Sequence, residues 1–169
     1  MKGLKSNIIA GIIFVSALGT LFQFLYEWSG NNFFVGFFTS VNESVWEHTK
    51  LLFFPMLIYS FYLKYKLGKD YPAVNNARCS GASSGILLII VLYYTYSGIV
   101  GFHVSFIDIS IFYISVILSF LIVYKLTVSN ITVKYNALFL VIWISLICLY
   151  VIFTLFPPDI PLFISPEKP

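Results

Sequence analysis

The sequence predicts an all-α integral membrane bundle of five transmembrane helices, with a short interfacial or re-entrant segment between the first two. Three observations predict it. Of the 169 residues, 59% are hydrophobic and only 10% charged, with a mean hydropathy of +0.91. Soluble domains run at about 45–50% apolar and about 25% charged, so a water-facing surface cannot be built from this composition. Apolar runs close to the roughly 20 residues that cross a bilayer core recur at about 8–26, 44–63, 81–100, 106–124 and 136–156, and 1–169 reads as a single transmembrane domain with no room for a soluble one. Finally, the basic residues fall in alternate connections, as topology in a membrane requires.

Lys2 and Lys5 precede the first span, Ile8 to Tyr26, which Glu27-Trp28-Ser29-Gly30 closes. Val15-Ser16-Ala17 has the small residues of a signal-peptide cleavage site. The apolar run continues beyond it through Leu21, Phe22, Phe24 and Leu25, so the segment reads as a retained helix. Phe33 to Phe38 (FFVGFF) is too short to cross and reads as the interfacial or re-entrant piece. Ser40-Val41-Asn42-Glu43 has the form of a capping box, with Ser40 as cap and Glu43 reaching back. The second span runs from about Ser44 to Leu63 and stops at Lys64, Lys66 and Lys69. Pro55 within it should leave the Leu51 carbonyl without its helical partner.

Leu67 to Ser80 reads as a polar loop. The third span, Gly81 to Val100, ends at Gly101-Phe102-His103. The fourth, Phe106 to Tyr124, carries Asp108 near its start and leads into a loop over Thr127 to Tyr135. The fifth, Asn136 to Phe156, is broken by Pro157-Pro158, and the proline-rich segment PPDIPLFISPEKP cannot continue it as a regular helix.

With the N-terminus in the cytoplasm, Lys2, Lys5, Lys64, Lys66, Lys69, Arg78, Lys125 and Lys134 lie inside, and only Lys50 and Lys168 outside. Cytoplasmic connections retain the basic residues, so this orientation is the expected one and puts the C-terminus outside. Glu27, Glu43, Glu47, Asp108, Asp159 and Glu167 then fall on the outer side, and Asp70 alone inside. The partner this implies is the lipid bilayer. Nucleic-acid binding is excluded by the lack of a basic aromatic face, and no P-loop, dinucleotide fingerprint or nucleophile elbow is present. Cys79 and Cys148, far apart and outside any CxxC pattern, argue against a disulfide scaffold or thiolate metal site.

The second span locates a candidate site. Its uninterrupted apolar run, Leu51 to Leu63, covers only about 20 Å at 1.5 Å per residue, against a hydrocarbon core of about 30 Å. Trp46, Glu47, His48 and Lys50 therefore enter the outer part of the membrane. Gln23 and Glu27 end span one, His103 ends span three and Asp108 begins span four, so four spans bring polar groups to one level. Ionisable groups at that depth cost several kcal/mol unless they face the interior and pair, and they mark a functional site by default. His48, His103 and Asp108 are the candidate metal ligands, because zinc takes imidazole nitrogen and carboxylate oxygen. Glu47, about 100° from His48 on the helix, is the candidate general base for a metal-bound water. Gln23, Glu27, Asn42, Glu43, Ser44, Trp46 and Lys50 complete the candidate pocket.

The stretch FFTSVNESVWEHTKLLFFP, from Phe37 to Pro55, resembles the signature of an uncharacterised family of small bacterial multi-span membrane proteins, a domain of unknown function. Leu25-Tyr26-Glu27-Trp28-Ser29-Gly30, Gly101-Phe102-His103 and Asp108-Ile109 fit the same family. In the first helix Gln23-Phe24 stands where the family pattern has a histidine before the phenylalanine. The resemblance covers nearly the whole chain and implies a bacterial inner-membrane protein, without an activity. More distantly, Ser44, His48, His103 and Asp108 are similar to the serine, histidine and aspartate set of ceramidase-like zinc hydrolases, which have three histidines and seven spans. Two functions are expected from these readings: a binding, transport-accessory or interaction role for an outer-facing polar pocket, or a metal-dependent hydrolase acting on a lipid-like substrate.

Overall fold

The computed structural model describes residues 2–166, at Lys2 the backbone alone. The Lys2 side chain, Glu167 and Lys168, assigned to sides by the charge count above, lie outside the described residues. Six α-helices make up the described chain: α1 (Lys2–Trp28), α2 (Phe33–Gly36), α3 (Val45–Leu67), α4 (Val74–Val100), α5 (Ser105–Ser129) and α6 (Asn136–Leu155), the last preceded by a single tight turn at Val133–Tyr135. Among the described residues, four segments are long and apolar enough to cross a membrane: Gly3–Trp28, Val74–Val100, Ser105–Ser129 and Val133–Leu155.

The expected second span, α3, is not among those four. It carries Glu47, His48 and Lys50 at one end, Lys64 and Lys66 at the other, and Pro55 within. Its place in the fold accounts for this composition. α3 packs between α1 and α4, α5 closes the ring against both of them, and Val45–Glu47, Thr49–Met56, Tyr59, Ser60, Leu63 and Leu67 of α3 are buried. The least apolar helix is thus the one with protein on most sides. α6 lies outside this ring against α4 and presents most of its surface outward, with Trp143 and Tyr150 buried against Phe53 of α3.

Several boundaries differ from those expected. α4 begins at Val74, inside the segment read as a polar loop, because its polar side chains are taken up by neighbouring elements. The Asn76 amide donates to the Thr132 carbonyl (2.5 Å) and Asn136 Oδ1 (2.8 Å), and the Arg78 guanidinium donates to the Ser60 carbonyl (2.5 Å). α1 begins at Lys2 rather than Ile8, and α5 continues to Ser129, where Asn130 ends it in the left-handed conformation (φ 56°). The cap is displaced by four residues and does not form a capping box, because the Ser44 N–H goes to Asn42 Oδ1 and the Glu47 carboxylate to Val41 and Lys50. Ser44, not Ser40, caps α3 by accepting the Glu47 N–H (3.4 Å), while Ser40 Oγ donates to the Asn42 carbonyl (2.6 Å).

Two close approaches set the helix positions. Pro55 has no N–H to offer the Leu51 carbonyl, and that oxygen lies so close to Gly19 of α1 that a Cβ there would collide with it. Gly81 and Gly85 of α4 lie against Ser119 of α5, Gly81 beside its carbonyl and Gly85 beside its hydroxyl. This small-xxx-small spacing lets helix backbones approach in a membrane. The segment after α6 turns back across the start of α3. The Leu162 carbonyl accepts the Trp46 N–H (3.0 Å), one of the donors that a helix N-terminus leaves unpaired, and Phe163 packs on Trp46 and Phe153 (ring centroids 5.2 and 4.9 Å).

Candidate functional site

A cavity of about 480 Å³ opens at the end of the bundle where α1 and α4 finish and α3 and α5 begin. Its walls come from the last turns of α1 (Gly19, Thr20, Gln23, Phe24), the approach to α3 and its first turns (Glu43, Val45, His48, Leu51), α4 (Ile89, Tyr93), His103 in the following turn, and the start of α5 (Ser105, Asp108, Ile109, Ile111, Phe112, Tyr113), with Pro166 at its edge. That volume lies within the range of small-molecule pockets, about 300–1,000 Å³. The close approach of Gly19 to the Leu51 carbonyl brings α1 and α3 together at this cavity. Gly101, in the left-handed conformation (φ 85°), ends α4 and turns His103 over it.

The polar groups are arranged as two pairs. On the α1 and α3 side, His48 Nε2 lies 3.2 Å from Glu43 Oε2, and the Gln23 amide donates to Glu43 Oε1 (3.2 Å). On the α4 and α5 side, Tyr96 donates its hydroxyl proton to Asp108 Oδ1 and accepts the Val104 N–H (3.1 Å). His103 Nδ1 stands 3.6 Å from Asp108 Oδ2, outside hydrogen-bond range, and His103 Nε2 is buried without a partner. Thr20 and Tyr113 join α1 to α5 through their hydroxyls (2.9 Å). No lysine or arginine lines the cavity among the described residues.

Of the expected site residues, Gln23, Glu43, His48, His103 and Asp108 share this cavity. The others stand elsewhere. Glu47, the candidate general base, faces away from it into a second polar cluster, where its Oε2 accepts from the Lys50 ammonium (2.7 Å) and the Val41 N–H (3.0 Å). Lys50 also donates to the Gly36 carbonyl (3.1 Å) and Thr154 Oγ1 (2.7 Å), and is wholly buried. Trp46 is buried among Tyr150, Phe153 and Phe163. Ser44 is the α3 cap, Asn42 accepts the Ser44 N–H through Oδ1 (2.8 Å), and Glu27 is exposed. The α3 helix therefore separates its consecutive residues Glu47 and His48 into different environments.

Sequence reasoning missed Thr20, Tyr93, Tyr96 and Tyr113. The twelve tyrosines of the sequence read collectively as core, lipid-facing and belt residues. The one available signal was position, since Tyr93 and Tyr96 lie within the last two turns before Gly101 and His103. As a metal site, the two histidines stand in separate carboxylate pairs, and among the described residues no group of three or more histidine, cysteine or acidic side chains is placed to hold one ion. What the arrangement does provide is two carboxylate and imidazole pairs in a cavity otherwise lined largely by apolar and aromatic side chains.

No curated protein and no solved structure matches this chain. Residues 1–167 match the family of unknown function DUF6512, and the chain belongs to that family.

Proposed function

We propose that this protein is a bacterial inner-membrane protein crossing five times, N-terminus in the cytoplasm, whose outer-facing cavity binds a small amphiphilic molecule. α3 serves as the fifth crossing, with Glu47, Lys50 and Pro55 buried inside the fold. The exposed Lys64, Lys66, Lys69, Lys125 and Lys134 gather at the end opposite the cavity, which the positive-inside rule assigns to the cytoplasm. The observation that carries the binding reading is that one cavity is lined by both polar and apolar residues that are also exposed. The Glu43 side chain is 61% exposed, while the apolar lining residues Phe24 and Ile109 are 47% and 57% exposed. A molecule with a polar head and an apolar chain matches both kinds of lining. Extraction and mass spectrometry of the protein purified in lipid nanodiscs should yield a bound species that is lost from Ile109→Trp, which adds bulk to the apolar lining. Equal recovery from both proteins would reject the reading.

A metal-dependent hydrolase of lipid-like substrates is the second reading, supported by His48, His103 and Asp108 lining one cavity. It requires the two carboxylate pairs to open toward a common zinc ion. After dialysis, near one equivalent of zinc, lost in His48→Ala, would favour it over simple binding.

A further inference from the structure

Resting on the reading of the cavity as an amphiphile site, we propose that its ligand carries an alkylammonium head seated at Asp108, with the chain leaving between α1 and α5 past Phe24 and Ile109. Asp108 Oδ1 is occupied by the Tyr96 hydroxyl, but Oδ2 accepts no hydrogen bond among the described residues. The nearest donor, His103 Nδ1, stands at 3.6 Å, within ion-pair distance but beyond the usual hydrogen-bond range of about 2.7–3.2 Å, and it supplies a charge only when protonated. A carboxylate at membrane depth is costly unless a counter-charge reaches it, and no lysine or arginine lines this cavity among the described residues. Lys50, the cation nearest in sequence on α3, is held on another face of that helix by Glu47, Gly36 and Thr154.

The remaining walls suit the same head. Tyr93, Phe112 and Tyr113 line the same cavity as Asp108, and aromatic faces attract ammonium groups, quaternary ones included. An anionic head would meet Asp108 and Glu43 without a fixed positive charge among the described lining residues. A neutral hydroxyl head could donate a hydrogen bond to Oδ2 but would leave the carboxylate's charge without a counter-charge. Phe24 and Ile109 line the same cavity as Asp108 and are also exposed, so an alkyl chain lying on them can remain in lipid while its head is bound.

The test is binding to the full chain in nanodiscs of zwitterionic lipid, followed by native mass spectrometry. Three single-chain probes of equal length are compared: dodecyltrimethylammonium, dodecanol and dodecyl sulfate. Binding to Ile109→Trp supplies the non-specific background. The ammonium probe should bind about tenfold more tightly than the other two and lose about that factor in Asp108→Asn, which keeps an acceptor for Tyr96 while removing the charge. Tyr93→Leu should weaken the same probe without affecting dodecanol. Equal affinity for all three heads above background, or preference for the sulfate, would overturn the head assignment and leave the amphiphile reading standing. No probe above background would overturn both. Nanodiscs doped with a dialkyldimethylammonium lipid separate the sources of the head: displacement of the single-chain probe marks a bilayer lipid, and its retention a free amphiphile.

Discussion

Lys50 has no solvent exposure, and its ammonium meets Glu47, the Gly36 carbonyl and Thr154 at once, tying α3 to α6 and to the short α2. Removing one member of such a pair strands the other charge, at about 3–5 kcal/mol, whereas replacing both by apolar groups is often nearly neutral. Glu47→Ala should therefore lower stability by about that amount, and Glu47→Leu with Lys50→Met should recover most of it; thermal unfolding in detergent measures both. The sequence made Glu47, His48 and Lys50 legible as polar residues gathered at one end of an otherwise apolar helix. It could not say that they face different environments. That division depends on α2 and the segment after α6 packing against one side of α3, and contacts so distant in sequence leave no local pattern. Asp108 was legible for the same reason as His48, whereas its partner Tyr96 resembled every other tyrosine.

At the scale of elements, α4 and α5 make the most extensive contact in the fold, and Gly85 shows how close it is. A Cβ at Gly85 would run into the Ser119 hydroxyl and come within 2.8 Å of Leu52 on α3. Overpacking of this kind costs about 1–3 kcal/mol, so Gly85→Val should lower the melting temperature, while Gly98→Val, at a position with open space around it, should not. Thermal unfolding of the two variants side by side checks the contrast. The helices themselves were legible from apolar runs, but their ends were less so. Asn75, Asn76 and Arg78 carry the composition of a loop, and only the tertiary partners of Asn76 and Arg78 explain why the chain is helical there. The displaced cap has a similar cause. Ser40-x-x-Glu43 and Ser44-x-x-Glu47 both satisfy the local pattern, and the packing of Trp46 and Glu47 selects the second.

For the whole molecule, the membrane class followed from composition, while the number of crossings depends on α3. Five crossings place Lys69 and Asp159 on opposite sides, with Asp159 outside. If α3 did not cross, each would change sides. In a background with Cys79 and Cys148 replaced by serine, Glu27→Cys and Asp159→Cys should react with an impermeant thiol reagent added to intact cells and Lys69→Cys should not; Glu27→Cys and Lys69→Cys, which flank α3, behaving alike would fix four crossings. The fold also has a consequence for biosynthesis. The Leu162 carbonyl and Phe163 ring complete the start of α3, and Pro166 borders the cavity. A ribosome delivers these residues only after every helix has been made. The nascent chain must therefore wait in the bilayer with the Trp46 donor and ring unseated, and the cavity matures after translation of the last helix. A chain stopped after Phe156 would possess all six helices and still present that unfinished surface to membrane quality-control proteases, so pulse-chase labelling should find it degraded faster than the full chain.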